Sequence, residues 1–127
     1  AITEEEKADE DSKIGDAFTI AEFVMGVNET TEADLPETVL AWDLVRAVNM
    51  ARWAFICGYI NEDEMWEAIR TTAGIAKESF NSWEEYGNSF AVGRGIWRGE
   101  TDDYETADEV VGALLNKEDS PWKAIEW

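Results

Sequence analysis

Four polar residues, Asp43, Arg46, Asn49 and Arg52, recur at every third position of an otherwise apolar run, VLAWDLVRAVNMARWAFICG (39–58). At about 100° per helical residue, each lies roughly 60° from the last. Together they trace a polar ribbon winding across a greasy cylinder. Two chemistries are open to it. As a site, the arginines grip a carboxylate or phosphate through paired hydrogen bonds. As architecture, they pair with Glu84 and Glu85 at the start of a neighbouring helix, because buried charge without partners is costly. Acids outnumber bases in this chain, so the architectural role is the expected one.

No other constellation assembles into a catalytic centre. Glu84 and Glu85 are adjacent, so on a helix they diverge by about 100° and cannot address one substrate atom; capping and ion pairing are their expected work. The acid runs at 62–64 and 102–109 lack the spacing of a calcium loop. Gly93-Arg94-Gly95 follows no predicted strand and fits neither a phosphate-binding loop nor a dinucleotide fingerprint. Cys57 sits in the apolar run without an adjacent base and reads as an inert, buried thiol. The chain contains no histidine. That removes Ser-His-Asp and Cys-His nucleophiles and His-ligated zinc together. No catalytic residue, metal ligand or cofactor is assigned.

The elements that must position these residues read as helices. The run 39–58 is apolar nearly all round, which predicts a helix at the centre of a domain with others packed on several faces. Before it, 16–25 forms a short amphipathic helix with Phe18, Ala21, Val24 and Met25 on one side, stopped by Gly26. After it, Asn61 and Glu64 form a capping box for a helix carrying Met65, Ile69, Ala73 and Ala76 on one face. Ser82 and Glu85 form a second box for a helix with a heptad seam of Trp83, Tyr86, Phe90, Gly93 and Trp97. Glycines inside that helix each cost about 1 kcal/mol relative to Ala, so they predict a close backbone approach, with the apolar helix as the obvious neighbour. Thr106 and Glu109 open a short last helix after a loop, and an irregular tail docks through Trp122 and Trp127. Trp42, Trp53, Trp66, Trp83 and Trp97 read as core.

Composition bounds the partners. The 127 residues carry a net charge of −19, with 45 % hydrophobic residues and seven tryptophans, so this is a folded chain, not an acidic disordered tail. Residues 1–37 hold twelve acids against two lysines, and 100–127 nine against two; residues 38–99 are nearly neutral, with eight acids against six bases. Such a surface excludes nucleic acid and anionic membranes, which need a basic footprint, and permits a basic protein partner. One cysteine excludes an intrachain disulfide. With no signal peptide and no apolar run of spanning length, a cytoplasmic location is the expectation.

Several motifs together resemble a known family. Trp42-Asp43-Leu44-x-Arg46, Ala51-Arg52-Trp53, Gly58-Tyr59-Ile60, Trp66, Ser82-Trp83-Glu84-Glu85-Tyr86, Gly93-Arg94, Trp97 and Ser120-Pro121-Trp122 are similar to the domain-of-unknown-function 1266 family of uncharacterised bacterial proteins, over about residues 40–127. The resemblance implies no activity, substrate or cofactor. It implies a further helical segment before the matched part, which residues 1–37 do not fit, so the chain is expected to be a short member or a trimmed product.

The sequence therefore predicts an all-α protein: a compact orthogonal bundle of about five helices around a central buried helix at 39–58. An acidic N-terminal segment, 1–15, precedes a single helical domain, 16–127. The functional expectation is a non-enzymatic protein-binding module that meets a basic surface. The alternative is an enzyme or small-anion sensor using an arginine-lined cleft on the central helix, beside Trp42 or Trp53.

Overall fold

The computed structural model describes residues 2–8 and 13–127. Among them there are helices and no strand. A short α1 (Glu4–Ala8) is followed by five helices of 16 to 18 residues: α2 (Lys13–Asn28), α3 (Leu40–Ile56), α4 (Glu62–Ser79), α5 (Trp83–Arg98) and α6 (Thr101–Asn116). One turn, α7 (Pro121–Ala124), closes the chain. The all-α expectation holds. The N-terminal segment is helical over Glu4–Ala8, with reciprocal caps: Glu6 N–H donates to Thr3 Oγ1 (3.2 Å) and Thr3 N–H to Glu6 Oε2 (2.8 Å). Residues 1 and 9–12 of that segment lie outside the described residues.

Local signals fix most of the boundaries. Asn61 and Glu64 cap α4 reciprocally, at 2.9 and 3.1 Å. Gly58, at φ +81°, takes the left-handed position after α3, and Tyr59 N–H reaches back to the Ala54 carbonyl at 2.9 Å; this is the turn glycine makes cheap. Ser82 accepts from Glu85 N–H, but the Glu85 carboxylate accepts from Asn81 N–H instead of closing the box on Ser82.

Three boundaries differ from the sequence reading. α2 begins at Lys13, so the expected division between 1–15 and 16–127 falls inside a helix. Gly26 does not stop α2, which runs to Asn28 and turns at Glu29, φ 53°; one exposed glycine is too small a penalty to end a helix already held by Ile20 and Val24 in the core. Thr106 does not open α6. The helix begins five residues earlier, and Thr106 Oγ1 donates to the Asp102 carbonyl within it. The first turn places Asp102 and Asp103 at the positive end of the helix dipole, so residues that resemble a loop start a helix.

The centre of the bundle is α5, not residues 39–58. Six residues of α5 are buried: Gly87, Ser89, Ala91, Val92, Gly93 and Gly95. Its small side chains let other helices close in from several sides. A Cβ on Gly87 would lie 2.5 Å from Val111 of α6, one on Gly93 2.5 Å from Trp42 Cβ of α3, and one on Gly95 2.9 Å from Tyr104 of α6 and 3.2 Å from Ile20 of α2. Only the Gly93 approach involves the apolar helix, the expected neighbour. Ser89 completes the junction with α3: its hydroxyl donates to the Thr38 carbonyl (2.7 Å) and accepts from Ala41 N–H (3.2 Å). Lys13, at the start of α2, donates to the Ile96 and Trp97 carbonyls and so caps the far end of α5.

In α3 only Ala41, Leu44 and Ala51 are buried. Hydrophobicity on all sides is not burial on all sides: the observed helix leaves Met50, Trp53 and Ile56 at 61, 61 and 74 % exposure. The tryptophans divide the same way. Trp42 and Trp83 are half-buried, whereas Trp53, Trp66 and Trp97 are exposed. The tail does dock: Trp83 stacks on Trp122 at 4.9 Å, and the Trp83 and Trp127 indole N–H groups donate to the Ile125 and Phe80 carbonyls.

Candidate binding surface

The ribbon residues are in solvent. Asp43, Arg46 and Arg52 are exposed and Asn49 half-buried. Neither arginine pairs with Glu84 or Glu85, which corrects the expected internal network. Arg46 and Arg52 make no ion pair among the described residues; Arg52 Nη1 reaches only Asn49 Oδ1, at 3.5 Å. The physical reason is the position of α5. It ends at Arg98, and Glu84 and Glu85 stand at its opposite end from Trp97, the residue Arg46 touches.

Glu84 and Glu85 diverge as adjacent helical residues must. Glu84 lines a groove of about 360 Å³ with Asn28, Asp34, Tyr104 and Asp108. Glu85 lines another of about 260 Å³ with Asp34, Glu37 and Asn88. Two carboxyl groups here are shifted in opposite directions. Burial, then the neighbouring Glu109, raises Asp108 above its ordinary range. The Thr31 amide and hydroxyl hold Asp34 below it. Burial also raises the Tyr104 phenol, against the opposing hydrogen bond from Asn28.

Arg46 is held by aromatic rings. Its guanidinium lies 5.7 Å from the Trp42 ring centroid and 5.2 Å from that of Trp97, and the two indoles are 5.9 Å apart. Arg94 covers Trp42 as well, at 5.3 Å. Arg94 and Arg98 differ from Arg46 in having a carboxylate: Asp103 reaches Arg94 at 3.1 Å and Arg98 at 3.5 Å. Beside them an open groove of about 420 Å³ runs between α3 and α6, lined by Trp42, Phe90, Arg94, Asp103, Ala107 and Val110. Cation–π contact orders a guanidinium without neutralising it. Arg46 is therefore an exposed positive group ordered by two indoles and without an ion pair among the described residues.

Beyond Arg46 the side of α3 that carries Trp42 continues through Asn49, Trp53 and Ile56. α5 covers its first part and stops at Trp97 and Arg98. The remainder joins the exposed tip of the α3–α4 hairpin, with Tyr59 at 85 % and Trp66 at 45 % exposure. Cys57 is exposed there too, so the thiol is not the buried one that its apolar neighbours implied. Arg94, Trp97 and the open half of α3 border this surface and are not among the candidates read from the sequence. Their signal is the recurrence of arginine near tryptophan at 42, 46, 52, 53, 94 and 97, two residue types enriched in binding hot spots.

Among the described residues no helix is long and apolar enough to cross a membrane, and no group of three or more His, Cys, Asp or Glu side chains could hold a metal ion. Comparison with curated proteins and with solved structures gives no match. The family comparison does, and it takes in residues 1–37 as well as 40–127, which corrects the expectation that the N-terminal part does not fit: over residues 1–127 the chain matches, and belongs to, the family described as Protein of unknown function (DUF1266).

Proposed function

We propose that this chain is a non-enzymatic protein-binding module, acting in the cytoplasm, whose contact face is the open half of α3 with the adjoining hairpin tip. The observation that carries this reading is the exposure of Met50, Trp53, Ile56 and Tyr59, at 61, 61, 74 and 85 %, within ten residues of one hairpin. Single apolar side chains on a surface need no explanation, but four large ones concentrated at one end of a helix and its turn, two of them aromatic, support an interaction site. Arginines at its margin complete the composition typical of hot spots. The acid excess supports a basic partner at a different place, the grooves lined by Asp34, Glu37, Glu84, Glu85 and Asp108, where it would steer approach more than fix affinity.

A second reading is favoured by one observation, the unneutralised Arg46 between two indoles. It makes the same region a small-anion site. The groove next to it is lined by Arg94, whose charge Asp103 already meets, which weakens the case for a free anion there.

The test is affinity capture from extract of the native cells with the wild-type chain and with Trp53→Asp, each at low and high salt. Trp53→Asp is expected to lose the captured species while folding normally. Capture that is indifferent to Trp53→Asp overturns the reading.

A further inference from the structure

We infer that the open half of α3 is a seat for an acidic amphipathic helix, donated by a partner protein and lying in line with α5. This rests on the protein-binding reading and names the partner's chemistry. At about 100° per residue, Asn49, Trp53 and Ile56 fall within a stripe roughly 60° wide, with Arg46 just past one edge and Arg52 past the other. Trp42 lies in the same stripe, and there α5 fills it, seating Gly93 and Phe90 against the indole. α5 ends at Arg98, level with Arg46. From Arg46 to Ile56 the seat continues for about three turns, or roughly 15 Å, and among the described residues Trp53 and Ile56 on it stay exposed. These two are its exposed apolar anchors, with the half-buried Asn49 one turn before Trp53, and anchors at such helical spacing are the usual ground for helix-in-groove recognition.

Charge selects the occupant. Arg46 and Arg52 flank the stripe on both sides, exposed and without ion pairs among the described residues, in a chain with 29 acids. Arg46 is preorganised by Trp42 and Trp97, so engaging it costs little side-chain entropy. A helix with leucine or phenylalanine on its inner face and glutamates along both margins satisfies the stripe and both guanidinium groups. A lysine-margined helix would set like charges against them. A second copy docking through the same face is disfavoured, because it would set its own Arg46 and Arg52 against these two, like charge against like.

The probes are three synthetic helical peptides about three turns long, identical on the apolar face and carrying glutamate, glutamine or lysine margins. Binding is followed by an environment-sensitive dye on Cys57, the chain's single and exposed thiol, and by peptide anisotropy. The glutamate peptide is expected to bind best and Trp53→Ala to weaken it by about tenfold or more. The double variant Arg46→Glu/Arg52→Glu is expected to invert the order, so that the lysine peptide binds best. Unfolding curves of each variant separate lost binding from lost fold. Glutamate-peptide binding unchanged by the charge reversal, or a lysine peptide that wins at the wild-type dye, overturns the proposal, as does Trp53-dependent dimerisation in sedimentation. If extract capture still depends on Trp53 while these peptides show no preference, the module reading stands and the acidic-helix assignment falls.

Discussion

Trp42 Cβ occupies the place where a side chain on Gly93 would begin: a Cβ built there lies 2.5 Å from it, and 3.2 Å from Val39 Cβ. Both obstructing atoms are fixed to the α3 backbone, so no rotamer change relieves the clash. Overpacking of this kind costs about 1–3 kcal/mol, against about 1 kcal/mol recovered from better helix propensity. Gly93→Ala is therefore expected to destabilise the fold by roughly 1 kcal/mol net, and by no more than about 2 kcal/mol. Gly74→Ala, in open space on α4, should stabilise it by about 0.5–1 kcal/mol. Urea midpoints at constant slope check both; a stabilising Gly93→Ala would refute the close α3–α5 approach.

Ser89 is fully buried and stands between two backbone groups of the α3 entrance, the Thr38 carbonyl and the Ala41 amide. Removing the hydroxyl strands one buried donor and one acceptor, at about 1–3 kcal/mol. Ser89→Ala should lower stability by that amount and raise the hydrogen-exchange rate of the Ala41 amide selectively. Uniform exchange across α3 would show that the bridge carries no local stability.

The exposure of α3 predicts where substitutions will not matter. Ile56→Asn should leave the unfolding midpoint within about 0.5 kcal/mol of wild type, because its side chain is 74 % exposed. Leu44→Ala, on the buried side of the same helix, should cost about 2–5 kcal/mol. Comparable losses at both positions would return α3 to the centre of the fold.

What was legible follows from which signals are local. The α4 cap needs only Asn61, Glu64 and the acids between them, so it reads directly from sequence. The glycines of α5 were legible as sites of close approach, because their helical penalty demands a packing reason. Which helix approaches each one was not, since Ile20, Trp42 and Val111 come from distant parts of the chain. The apolar helix at 39–58 misled for a physical reason: a face made for burial looks the same whether α5 covers it or leaves it open. The arginine ribbon was correctly placed on α3, but its accessibility depends on where α5 ends, a tertiary fact. Asp103, the carboxylate that does pair with arginine, was hidden in a stretch that resembled a loop.

Asp108 and Asp34 line the same groove and respond to acid in opposite senses. The folded state raises Asp108 above its ordinary value of 3.8, chiefly by burial, so the native protein binds its proton more tightly than the unfolded chain does. Its ionisation penalises folding above the raised pKa, and the penalty vanishes below 3.8. Asp34 is lowered by its Thr31 hydrogen bonds, so its contribution is present above 3.8 and is lost as pH falls through the folded value. Asp108→Asn should be more stable than wild type at neutral pH, with the gain disappearing near about pH 3. Asp34→Asn should be less stable at neutral pH, with the deficit closing in acid. Paired unfolding curves across that range measure both, and a gain for Asp108→Asn that persists in acid would assign the effect to packing.

Trp42 carries the one buried side-chain polar atom that lacks a hydrogen-bond partner among the described residues, its indole Nε1. An orphaned buried donor costs about 1–3 kcal/mol. The ring repays this through contact with Phe90 and Trp97 and by carrying Arg46 and Arg94 on its faces. Trp42→Phe removes the orphan while keeping an aromatic face, weaker toward cations. It should change stability by less than about 1 kcal/mol, because the relieved donor offsets the smaller ring. Trp42→Ala loses ring and contacts together and should cost about 3–5 kcal/mol. The two variants should also separate binding from folding. Trp42→Phe keeps the fold but loosens Arg46, so it is expected to weaken the glutamate-margined peptide severalfold with the unfolding midpoint nearly unmoved. Equal destabilisation by Phe and Ala would mean that the indole N–H has a partner and that the ring's size alone holds the site.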